Sequence, residues 1–203
     1  MRMRGPAGQP LRDHIAEVAA TLFYSDGIHV VGVDRVAAEA SVTKRTLYRH
    51  YRSKDALIAA ALQAAPVMVF PREGSARDRI LGAFEMLERF LTGTRYRGCP
   101  FIIYAAELTD PKHPARILIE TLVYKRRAWF KTRAAEAGAA DPEILSEQLD
   151  VLFDGALASG AKRGELKPVA AALAAARTLI DGATSRKESA QAPASARRNS
   201  SKR

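Results

Sequence analysis

The sequence contains a single cysteine, Cys99, and no uninterrupted apolar run of the roughly 18 residues that a membrane-spanning helix needs. One cysteine cannot close an internal disulfide, and the basic opening, Met1 to Pro10, lacks the following apolar stretch of a secretory signal. A reduced, cytoplasmic protein without membrane attachment is expected. Strand alternation and Asn-Gly hairpin signals are absent, which leaves an all-α fold class. Gly-rich phosphate loops, His-Glu-x-x-His and nucleophile elbows are absent as well. The four histidines, His14, His29, His50 and His113, have no His or Cys partner at ligand spacing. The expectation is therefore no enzyme activity, no cofactor and no metal, and Cys99 is read as an inert thiol.

What is present is a chain of 203 residues, 47% of them hydrophobic, enough to bury a core in one domain or two coupled ones. The formal net charge of +10 is unevenly spread: residues 1–65 carry +3, residues 66–183 +2 and residues 184–203 +5. The last segment has no apolar period and is expected to be a disordered basic tail, and residues 1–10 a flexible arm.

Ile15, Val18, Ala19, Leu22 and Phe23 form the stripe of an amphipathic helix that ends at Ser25-Asp26-Gly27. A short second helix starts near Val33. After the turn Ser41-Val42-Thr43, Thr43 is placed to cap a third helix running from Lys44 towards Tyr51. Ser53 is placed to cap a fourth, with Asp55 near its positive end and Pro66 at the boundary. Further helices are expected over Ile80 to Leu91, Phe101 to Leu108, Ala115 to Gly138, Pro142 to Gly160 and Val169 to Asp181.

Between Lys44 and Lys54 there are five basic residues and no acidic one, interleaved with Tyr48, His50 and Tyr51. A helix with Lys44 and Arg45 in its first turn, then Tyr48, Arg49 and His50, can offer long donors to base edges. Tyr48 and Tyr51 can reach phosphates. A preceding short helix, a three-residue turn and a bracing first helix turn this basic helix from a solvated face into a DNA reader.

The stretch Val33-Asp34-Arg35-Val36-Ala37-Ala38-Glu39-Ala40-Ser41-Val42-Thr43-Lys44-Arg45-Thr46-Leu47-Tyr48-Arg49-His50-Tyr51, then Ser53-Lys54-Asp55-Ala56-Leu57, resembles the TetR family of transcriptional regulators. That resemblance implies a helix-turn-helix domain over 11–65, followed by a larger helical domain over 66–183 that binds an effector and dimerises. It also implies base or groove contacts at Thr43, Lys44, Arg45 and Tyr48, and phosphate contacts at Tyr51 and Lys54. Three positions depart from the family pattern: Ser41 replaces a usual Gly, Arg45 a frequent small residue, and Gly32 a frequent Thr. Arg97-Gly98-Cys99-Pro100-Phe101, Glu107 and His113-Pro114-Ala115-Arg116 resemble one subgroup in outline.

In the C-terminal part, Phe84, Leu87, Leu91, Phe101, Tyr104, Trp129 and Phe153 are either plain core or the lining of an effector pocket. Glu107 is either solvated or placed to meet a polar ligand group. Lys125-Arg126-Arg127 is read as a solvent face. Large residues alternate with small ones over Pro142 to Gly160, and the expected dimer interface comprises Leu149, Leu152, Ala156, Leu173, Ala176 and Ile180. The reading is a homodimeric repressor that binds a double-stranded operator and leaves it when a small molecule binds. The alternative is a regulator of the same fold controlled by a protein partner or by no effector.

Overall fold

In the computed structural model the described residues are 10–92 and 97–191, the side chains of 186–191 excepted. Among them the secondary structure is nine helices without a strand: α1 (Leu11–Asp26), α2 (Val33–Glu39), α3 (Lys44–His50), α4 (Lys54–Ala64), α5 (Ala76–Leu91), α6 (Pro100–Glu107), α7 (Pro114–Glu136), α8 (Pro142–Arg163) and α9 (Lys167–Gln191). The chain divides into two compact units.

The first unit takes in the chain up to Met68 together with Arg97–Val123. Ile15, Ala19 and Phe23 of α1 are fully buried, as their three-and-four spacing requires, against Val36, Leu47, Leu57, Ala61 and Leu62. Tyr104, Leu108, Ala115 and Ile119 complete the same core, so α6 and the beginning of α7 join a unit that chain order alone would end near 65. The caps stand as expected. Thr43 accepts the amide of Thr46 at 3.1 Å, Ser53 accepts that of Ala56 at 3.0 Å, and Gly27 closes α1 at φ 94°.

The second unit comprises Val69–Tyr96 and residues from Tyr124 onward. Ser75 and Asp78 form a capping box on α5. Asp141 caps α8, which ends at Gly164 in the left-handed conformation, φ 63°. Phe84, Phe130 and Phe153 are fully buried, and their ring centroids lie 5.6 to 6.1 Å apart. Phe70 stacks on Trp129 at 4.6 Å. Arg126 does not face solvent: it donates to Asp150 at 2.5 Å and to both oxygens of Asp154 at 2.8 Å. Burial alone would depress its guanidinium, but the bonds from Asp150 and Asp154 outweigh that and hold it above its usual range.

Helix α9 reaches Gln191, so the segment from Thr184 to 191 is helical where a disordered tail was expected. Its Lys, Glu, Ala and Gln residues extend a helix already nucleated upstream at little cost, and the amide of Ala140 anchors it on the Ala183 carbonyl at 3.0 Å. The remainder of the expected tail, 192–203, lies outside the described residues, as does nearly all of the expected arm.

Candidate nucleic-acid interface

The geometry of α3 begins at the end of α2. Val42 N–H bonds to the Ala37 carbonyl at 2.9 Å and Ser41 N–H to that of Ala38 at 3.1 Å, the paired bonds of a Schellman turn. That turn requires a left-handed residue, and Ser41 occupies it at φ 54°, the one described non-glycine residue with positive φ. The chain then enters α3 with Leu47 fully buried. Arg45 and Arg49 stand two positions from Leu47, roughly 200° around the helix, and are exposed with Lys44 and Tyr48. The outward face of α3 therefore carries two guanidinium groups, an ammonium and a phenol without an acidic residue of its own.

The neighbouring helices qualify that inventory. Lys44 donates to Asp34 of α2, with its nitrogen 2.9 Å and 3.1 Å from the two carboxylate oxygens. The hydrogen bond and charge of Asp34 hold the Lys44 ammonium above its usual range. Thr43 uses its hydroxyl as the α3 cap and meets the Thr46 hydroxyl at 2.9 Å. Tyr51 departs from its expected phosphate role: it is buried and its hydroxyl donates to the Arg12 carbonyl at 2.8 Å, with the Arg12 guanidinium 5.4 Å from the ring centre. Burial pushes that phenol up. Lys54 and His50 are half-buried, and His50 Nε2 has no partner among the described residues. Arg52 is exposed between them. Asp34 and Arg12 escaped sequence reading because each acts on a residue of another helix, at separations of 10 and 39 that no local period reveals.

The residues expected to line a pocket do not share one unit. Phe101, Tyr104 and Glu107 belong to the first unit, where Tyr104 is core and Glu107 accepts the Ile28 amide at 2.9 Å. Phe84, Leu87 and Phe153 are fully buried in the second unit, where Phe84 and Phe153 meet each other and Phe130, and half-buried Trp129 meets Phe130 and Phe70. A depression of about 260 Å³ borders the end of α8, and Leu91 alone of the expected residues lines it. Leu91 seats on Gly160, where a Cβ would stand 2.8 Å from its methyl carbon. Gly160 thus serves close packing within the chain.

Four of the six residues expected at the dimer interface do not face outward. Leu149, Ala156, Ala176 and Ile180 are buried within the protomer itself, and Leu152 and Leu173 are half-buried. The large-and-small pattern reflects the packing of α8 against α9 and α5 inside one chain. The outward faces carry other residues: Ile144 and Val151, 56% and 64% exposed, with Gly155 and Ala158 on α8, and Ala171, Ala174 and Thr178 on α9.

Comparison with known proteins gives this geometry its context. Residues 15–61 match the profile described as "Bacterial regulatory proteins, tetR family". A solved structure from Streptomyces avermitilis, described as a TetR transcriptional regulator, is 33% identical. It superposes with a TM-score of 0.74, covering 86% of this chain and 98% of that one. The Mycobacterium tuberculosis protein MftR, named as a mycofactocin biosynthesis transcriptional regulator, is 46% identical over 44 residues, 22% of either chain. The HTH-type transcriptional regulator YjdC of Escherichia coli is 22% identical over 154 residues, 72% of this chain and 81% of YjdC.

Proposed function

The chain belongs to the TetR family of bacterial regulatory proteins, DNA-binding regulators of transcription, and from that premise we propose a homodimeric repressor that reads its operator chiefly through Arg45, Tyr48 and Arg49. The observation that carries this reading is the outward face of α3, fixed by the burial of Leu47 and by the cap of Thr43. Arg45 supplies a fork able to meet the two acceptors of a guanine, Tyr48 an aromatic edge, and Arg49 a phosphate or base donor. Lys54, at the first turn of α4, adds a phosphate contact. Doubling this unit through the outward α8 and α9 faces would set two recognition helices on successive major grooves. Such a protein acts where the chromosome is, in the cytoplasm.

Release by a small molecule is one way to regulate it, and it requires that the effector bind the non-DNA form more tightly. The mutual packing of the Phe84, Phe130 and Phe153 rings favours the second reading, in which a protein partner or no effector governs the repressor. Site selection from a random pool, followed by footprinting on DNA flanking the coding region, tests the main reading. Two inverted half-sites about one helical turn apart are expected. Enrichment of no motif would overturn it.

A further inference from the structure

Glu107 occupies the last turn of α6, where the helix dipole disfavours a carboxylate, so the helix itself does not account for its charge. Its contacts do. One carboxylate oxygen accepts the Ile28 amide at 2.9 Å, and both oxygens stand 3.5 Å from the point where a Cβ on Gly27 would lie. Its main-chain carbonyl lies 2.9 Å from His29 Nε2. A single residue thereby bonds two consecutive positions of the turn joining α1 to α2 and borders the space beside a third.

The other end of α6 is tied to the same end of α1. The Tyr24 hydroxyl donates to the Gly98 carbonyl at 2.9 Å and accepts the Arg97 amide at 2.7 Å. The Arg97 guanidinium donates to the Tyr24 carbonyl at 3.0 Å. None of these groups belongs to the outward face of α3. They fix the turn from which α2 departs, with Gly27 at φ 94° and Ile28 buried at 1% exposure. An Ile28 amide without its acceptor would have to turn towards water, and α2, with the α3 that follows its Schellman turn, would turn with it.

The geometry points to Glu107 as a positioning residue for DNA reading: through the Ile28 amide it sets the departure of α2 and hence the presentation of Arg45 and Tyr48. This rests on the regulator reading above and adds a residue that touches no DNA. Glu107→Ala should lower the ratio of affinities for the selected site and for random duplex roughly tenfold or more, as loss of a charged hydrogen bond implies. Glu107→Gln retains an oxygen that can accept the Ile28 amide and should restore most of the ratio.

The experiment first selects a site with the wild-type full chain, then measures both affinities for the three proteins well below their melting temperatures. Native-state hydrogen exchange over residues 27–51 runs in parallel. Faster exchange from Ile28 through α2 in Glu107→Ala, returned towards wild type in Glu107→Gln, is expected alongside the affinity change. An unchanged ratio, or a ratio lost equally in both variants, overturns the assignment. If the wild type selects no site, the regulator reading fails on its own, and unaltered exchange at Ile28 to Ala40 would separately end the positioning role. Should the alanine variant melt without cooperativity, Glu107→Asp, which sets the carboxylate back by one methylene, is measured in its place with the same expectation.

Discussion

Lys44 and Asp34 hold each other across the α2–α3 corner, and that pairing decides how much of the basic character of α3 is available to any DNA. Both side chains are exposed, so the pair contributes little to stability, and its importance is electrostatic. An acidic group beside the reading face weakens attraction to every phosphate backbone while leaving base contacts by Arg45 untouched. Asp34→Asn should therefore tighten binding to random duplex and steepen its salt slope by about 0.9 per protomer, as Lys44 becomes free to meet a phosphate. An unaltered slope would show that Lys44 already leaves Asp34 when DNA binds. Arg45→Ala makes the opposite prediction: a loss of about 1–3 kcal/mol on the selected site, relaxed preference at one base pair per half-site, and a much smaller loss on random DNA. Identical motifs selected by wild type and variant would remove Arg45 from base reading. The basic character of this region could be read from sequence because five basic residues, three of them on α3, fall within eleven positions without an acid. What could not be read was their restraint by Asp34, or the withdrawal of the Tyr51 hydroxyl onto Arg12, since both depend on which helices the fold brings together.

The element that most exposes the physics is the turn between α2 and α3. Ser41 stands at φ 54° with the bonds of a Schellman turn around it, so a residue carrying a Cβ occupies a place where glycine is free of the steric cost. Ser41→Gly should stabilise the protein by about 1 kcal/mol, reduced by the extra entropy of glycine in the unfolded chain. Chemical denaturation with an unchanged slope and a higher midpoint would register it, and a lower midpoint would show that the serine makes a compensating interaction. The helices themselves were legible to within a few residues wherever an apolar stripe ran through them, as in α1, or a cap and a proline framed them, as at Ser53 and Pro100. Helix α9 was under-read because Thr184 to Gln191 lacks a stripe. The attachment of α6 to the first unit was illegible because Tyr104 and Leu108 advertise burial without saying against what. Glu107 illustrates the same limit: sequence marks a carboxylate after an apolar helix, and only the fold supplies Ile28 as its partner.

At the scale of the whole molecule, the burial of Leu149, Ala156, Ala176 and Ile180 within the protomer changes which variant can test dimerisation. Ala156 is 2% exposed inside its own protomer, so Ala156→Arg would bury an unpartnered charge and unfold the chain, whether or not a dimer exists. Val151 is 64% exposed and stands seven residues from Ile144 and from Ala158, on a stripe of α8 that Gly155 continues. On α9, Ala171, Ala174 and Thr178 repeat the same three-and-four spacing with small side chains that admit close approach of a second backbone. Val151→Arg should leave the helical content of the protomer intact while placing two guanidinium groups at the joint between copies. Sedimentation at micromolar concentration should then find monomer where the wild type sediments as dimer. Each monomer would hold one half-site without the high effective concentration that the second recognition unit supplies, so affinity for a two-half-site operator should fall by about a hundredfold or more. The salt slope should fall to roughly half, since half as many phosphates are neutralised per bound molecule. Should Val151→Arg and Gly155→Arg both sediment as wild type does, the second copy docks on another face, and the outward stripes of α8 and α9 lose their assignment.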